Sequence, residues 1–134
     1  MAKYSPSDIR NIALVGHGDS GKTTIADAVL FKTKAVKKAG SVADGSSLFD
    51  FEPDEKERRN SIDLSMATVT HGGKVLTILD APGYPDFVGE ATSAMAAAES
   101  VLLCVNAASG IMVNTRKMWF QARALGKPIS IMIT

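Results

Sequence analysis

The sequence carries one cysteine, one tryptophan and five prolines among its 134 residues, and it has no apolar run of membrane-spanning length. Each shortage excludes something. The lone Cys104, inside "SVLLCVNA", rules out an intramolecular disulfide framework and fits a reducing compartment. The opening "MAKYSPSDIR" has no apolar signal core. An excess of charge of one sign is missing too. Lys plus Arg total 15 against 14 Asp plus Glu, a formal net charge of +1. No overall field therefore draws the chain to DNA or to an anionic membrane, and an RNA partner would have to be recognised by local contacts. The chain is expected to be soluble and cytoplasmic.

What is present is enough apolar material for a core. Hydrophobic residues make up 46% of the chain, which at this length supports one domain at most. The six methionines read as gap-filling core residues. Apolar, β-rich runs occur at 11–15, 62–70, 74–79, 101–105 and 128–134. Helical spacing occurs over 22–32, with apolar residues at 25, 26, 29 and 30, and an alanine-rich segment at 86–99 suits a helix packed closely on a sheet. Thr115, Met118, Trp119, Ala122 and Leu125 form a third stripe, stopped by Gly126 and Pro128. "THGGKV" predicts a tight hairpin at Gly72-Gly73, with His71 beside it on the surface. Strands alternating with helices, plus one hairpin, predict an α/β fold: a mostly parallel sheet with one antiparallel strand. Residues 34–59 are long, polar and weakly periodic, a pattern that in a compact domain is functional or mobile.

One motif fixes the chemistry. "GHGDSGKT", residues 16–23, satisfies G-x-x-x-x-G-K-[ST], follows the strand "NIALV" and opens a helical pattern. Gly16 and Gly21 let the backbone curl so that successive N–H groups face a phosphate. Lys22 then reaches the β- and γ-phosphates, and the Thr23 hydroxyl ligates Mg²⁺. The nucleotide-binding candidates are His17, Gly18, Asp19, Ser20, Gly21, Lys22, Thr23 and Thr24. A second strand, "KVLTILD", ends in Asp80, the expected water-mediated Mg²⁺ partner. Gly83 is spaced to offer its N–H to the γ-phosphate.

"GHGDSGKTT", "DEKERRNSI", "DAPGYPDFVGE" and "SGIMVNTRKMWFQA" resemble the phosphate loop, switch I, switch II and third helix of translational GTPases, elongation factor G above all. The likeness runs from about residue 11 to 134. It implies a P-loop GTPase fold, GTP and GDP with Mg²⁺, and ribosome-stimulated GTP hydrolysis that drives translocation, with contact to large-subunit rRNA. It places the metal on Thr23, Ser61 and Asp80, and catalysis on Lys22, Gly83 and Tyr84. Loss of the γ-phosphate would release both switches, and without GTP and Mg²⁺ part of 34–62 is expected to be mobile. It also puts Thr134 at the first position of the guanine-recognition Asn-Lys-x-Asp, so residues 1–134 are expected to be a GTP-binding domain incomplete at its C-terminus.

Two departures stand out. Ser61 replaces the family's threonine, preceded by Arg59-Asn60 in place of Gly-Ile; the run 54–59 could otherwise be a solvated face. Tyr84 stands where the family has the histidine that orients the attacking water. A tyrosine hydroxyl is longer and neutral, and Pro85 biases Tyr84 away from helical angles, so Tyr84 is either a water-positioner or a gate. Two alternatives follow: a GTP-dependent ribosome-binding paralogue with little or no hydrolysis, and, more remotely, a phosphate-loop ATPase or kinase outside translation.

Overall fold

The computed structural model describes residues 4–134. Its five strands are β1 (Ile9–Gly16), β2 (Ser65–His71), β3 (Lys74–Asp80), β4 (Ser100–Val105) and β5 (Ile129–Ile133). Four α-helices lie between them: α1 (Lys22–Lys32), α2 (Pro53–Arg58), α3 (Val88–Ala97) and α4 (Val113–Ala124). The sheet order is β2-β3-β1-β4-β5, with β2 antiparallel to β3 and every other pairing parallel. Gly72 and Gly73 take φ +54° and +75° at the β2–β3 hairpin, and His71 beside them is exposed, as the sequence predicts.

Residues alternate across β1 because a strand has a period of two. Ala13 and Val15 face one layer, with Leu79, Val101 and Leu103 from the sheet and Ala91, Ala94, Met95, Met118 and Ala122 from α3 and α4. Leu14 faces the other, with Ile78, Val69, and Ala26 and Leu30 of α1. Ala91 and Ala94 have essentially no exposed surface, so α3 lies close on its strands. The second layer is completed by Phe49, only 2% exposed, which the long 34–59 segment inserts. A side chain of that size, fully buried, stabilises by about 2–3 kcal/mol, so one residue staples an otherwise polar segment to the sheet.

Four readings need correction. Residues 54–59 are not wholly a solvated face, since Pro53–Arg58 is helical and Glu55 is 1% exposed. The strand expected over 62–70 starts at Ser65, because the Ile62 and Asp63 amides donate to the Glu55 carboxylate instead of to a ladder. Met95 and Met118 are core residues, but Met66, Met112 and Met132 are exposed. The segment read as one helix over 86–99 begins with a 3-10 turn, Pro85–Phe87, before α3.

Candidate functional site

The carboxyl ends of β1, β3 and β4 meet where β1 has neighbours on both sides, the crevice in which open α/β sheets place ligands. A cleft of about 560 Å³ opens there. It is lined by Gly18, Asp19, Ser20, Gly21, Lys22, Thr23 and Thr24 of the β1–α1 loop, and closed by Asp50, Arg59, Asn60 and Ser61 on one side and Gly83 and Tyr84 on the other.

The loop's shape follows from its glycines. Gly21 has φ +76°, and a Cβ on Gly16 would lie 2.5 Å from the Cys104 carbonyl oxygen of the neighbouring strand. Gly21 precedes α1 with no side-chain cap, so the amides of the first helical turn have no side-chain acceptor. Lys22 lies at that turn and donates to the His17 carbonyl at 3.0 Å, its ammonium folded back over the loop. Burial holds the Lys22 ammonium below its ordinary value, with Asp80 opposing. Burial also pushes the Asp80 carboxyl up to about 7, against the Thr23 hydrogen bond and the Lys22 charge. A buried lysine and carboxylate both pressed toward neutrality mark a site built for charges it does not itself supply.

The hydroxyls show which charge. Thr23 Oγ1 donates to Asp80 Oδ2 at 2.7 Å, and Ser61 Oγ donates to Asp50 Oδ1 at 2.6 Å. The two hydroxyl oxygens are themselves 3.2 Å apart. A hydroxyl has one proton. With both protons given to carboxyl oxygens, Thr23 and Ser61 face each other lone pair to lone pair. Buried Asp80 Oδ1 and Asp50 Oδ2 have no partner beside them. Converging hard oxygens of this kind fit a cation such as Mg²⁺, which takes few protein ligands and keeps several waters. No cluster of three or more His, Cys, Asp or Glu is placed to hold a metal among the described residues; the hydroxyls make this site.

The structure therefore brings Thr23, Ser61 and Asp80 together, and Gly83 with them. A Cβ on Gly83 would stand 2.6 Å from Gly18 N and from the His17 carbonyl carbon and oxygen, so the turn after β3 packs directly on the phosphate loop. His17 lies in that contact, its Nδ1 buried without a partner. Asp19, exposed and at φ +57°, and Thr24, also exposed, form the outer rim. Thr134, at the end of β5, donates to the Ser20 carbonyl at 3.2 Å and lies against Gly21.

Four further residues support the site. Asp50 holds Ser61. Glu55 accepts from the amides of Glu52, Ile62 and Asp63, bending 52–63 into a hook that turns Asn60 and Ser61 into the cleft. Asn106, just past β4, donates to the Asp19 carbonyl at 3.3 Å. Asn114 of α4 donates to the Gly83 carbonyl at 2.6 Å. Asn106 was legible in principle as a polar residue at the carboxyl end of a β-run; the other three have no signal beyond their type.

The elongation factor Tu GTP binding domain family matches residues 7–134. An elongation factor G-like protein of Mycobacterium tuberculosis is 34% identical over 129 residues, which is 96% of this chain and 18% of that protein. A mitochondrial ribosome-releasing factor 2 of Debaryomyces hansenii is 34% identical over 123 residues, 92% of this chain and 14% of its own length. A crystal structure of a Thermus thermophilus protein superposes with a TM-score of 0.91 at 40% identity, covering 95% of this chain and 19% of that one. The chain thus spans less than a fifth of the length of these relatives.

Proposed function

The chain belongs to the elongation factor Tu GTP-binding domain family, and from that premise we propose that the intact protein is an elongation factor G-like GTPase that binds GTP with Mg²⁺ and hydrolyses it on the ribosome. The observation that carries this is the approach of the Thr23 and Ser61 oxygens, 3.2 Å apart, beside the uncapped start of α1. The amides of residues 18–24 cradle the phosphates, as helix N-termini do. Lys22, released from the His17 carbonyl, neutralises the β- and γ-phosphates. Thr23 and Ser61 hold the metal, and Asp80 holds Thr23. Mg²⁺, when bound, neutralises charge gathering on the phosphate oxygens. Gly83 presents its N–H to the third phosphate, and Tyr84 faces the water that attacks it. Because Ser61 sits on the 52–63 hook and Gly83 on the turn after β3, release of phosphate frees both at once. The name of the ribosome-releasing factor relative supports ribosome contact; contact through large-subunit rRNA and a role in translocation are what the family resemblance implies. A cytosolic location fits, and no helix among the described residues is long and apolar enough to cross a membrane.

The test is single-turnover GTP hydrolysis by the intact protein, with and without ribosomes. Strong stimulation is expected; GTP binding without stimulation would overturn the hydrolytic reading. One observation favours a second reading, a GTP-dependent ribosome-binding paralogue with slow hydrolysis. The Tyr84 hydroxyl donates to Asn60 Oδ1 at 3.3 Å, so donation to a reacting group has to compete with that bond. Rescue of a slow rate by Tyr84→His would favour that paralogue.

A further inference from the structure

Asn60 and Ser61 are neighbours on one hook but serve opposite walls of the cleft. Ser61 reaches Thr23, while Asn60 Oδ1 accepts the Tyr84 hydroxyl. The amide is oriented by its other end, since Asn60 Nδ2 donates to the Arg58 carbonyl at 3.1 Å, which leaves the carbonyl oxygen toward Tyr84. The Asn60 backbone amide is held as well, donating to the Glu55 carbonyl at 3.1 Å. Arg59 between them has φ +55°, the left-handed turn that swings Asn60 inward. Across the cleft the Tyr84 ring lies flush on the phosphate loop. A Cβ placed on Gly18 would be 3.0 Å from Tyr84 Cζ and 3.3 Å from its hydroxyl oxygen.

A phenol has one proton and two lone pairs. Once the proton is given to Asn60, the Tyr84 oxygen can act on the cleft side as an acceptor alone. An acceptor fixed beside the phosphate loop orients a water by taking a hydrogen bond from it, without having to remove its proton. We propose that Asn60 is the positioning residue for this step: it takes the Tyr84 hydroxyl proton, leaves the tyrosine oxygen as a fixed acceptor, and couples the 52–63 hook to the Gly83–Tyr84 turn as one latch. This rests on the GTPase reading above, and it assigns a joint role to two of the positions at which the sequence departs from the pattern it resembles, Asn60 and Tyr84.

The test is a double-mutant cycle in the intact protein, read in two ways. Asn60→Ile removes the acceptor and Tyr84→Phe the donor. Each is expected to lower the single-turnover GTP hydrolysis rate about five- to tenfold, with GTP affinity unchanged within about threefold. The double variant should be no slower than either single one, and Asn60→Asp, which keeps an acceptor, should recover most of the loss. Additive losses would overturn the proposal. The second reading needs no catalysis: trypsin cleavage after the exposed Arg58 and Arg59 in nucleotide-free protein. Both single variants should be cut about fivefold faster than wild type, the double variant equally fast. Equal rates in wild type and variants would overturn the latch. Wild-type protein that binds no GTP but shows the coupled protease response would keep the latch and sink the GTPase reading instead.

Discussion

Asn114, on α4, reaches the Gly83 carbonyl at 2.6 Å and thereby fixes the turn after β3 from the α4 side. Gly83 is held between two surfaces, with the phosphate loop 2.6 Å from any Cβ it could carry. Backbone lies on that side, so nothing can swing away. Gly83→Ala is therefore expected to cost about 1–3 kcal/mol in urea unfolding and to abolish GTP hydrolysis. Asn114→Ala leaves a buried carbonyl unpaired and should cost about 1–3 kcal/mol by the same measurement.

In the proposed GTPase, Asp80 acts on nucleotide binding through Thr23. Asp80→Asn replaces one acceptor oxygen by a donor and removes the negative charge from the wall facing Thr23. GTP affinity measured in Mg²⁺ should fall about 10- to 100-fold, while affinity measured in EDTA should change little. An equal loss in both conditions would show Asp80 acting on the loop and not on the metal.

Phe49 holds the long segment to the core. Phe49→Ala should cost about 3–5 kcal/mol in thermal or urea unfolding. It should also raise amide hydrogen exchange in residues 46–52 more than in β1 or β4, because the segment has no other fully buried apolar anchor among its described residues.

Asp8 supplies a pH signature remote from the site. It accepts from Lys74 Nζ at 2.8 Å and from Ser5, and these bonds lower its carboxyl to about 2. A lowered acid contributes stability that is full above its unfolded value of 3.8 and is lost as pH falls toward 2. NMR titration should find Asp8 ionised at pH 3, and Lys74→Ala should move its midpoint up toward 3.8.

The phosphate loop and Asp80-Ala81-Pro82-Gly83 were readable because backbone curvature there needs particular residues at fixed spacing, and α1 came out at its expected bounds, Lys22–Lys32. The hook was not readable. Five of the six residues of α2 are exposed, so one inward position, Glu55, leaves no period in a run that otherwise looks solvated. Ile62 and Leu64 read as strand, yet the nearby amides were already claimed by a buried carboxylate that no local pattern announces. The pairings Ser61–Asp50 and Tyr84–Asn60 join residues 11 and 24 positions apart, and tertiary folding alone brings them together.

Cys104 sits near the carboxyl end of β4, its carbonyl oxygen against Gly16, its side chain fully buried, and burial pushes its thiol up to about 11. Near neutral pH such a thiol is almost wholly protonated and shielded from maleimides. The chain therefore arrives with a chemically silent cysteine. A second one introduced at exposed Glu57, on the outer face of the hook, would be the one labelled position within residues 1–134, giving a fluorescent reporter of the proposed latch.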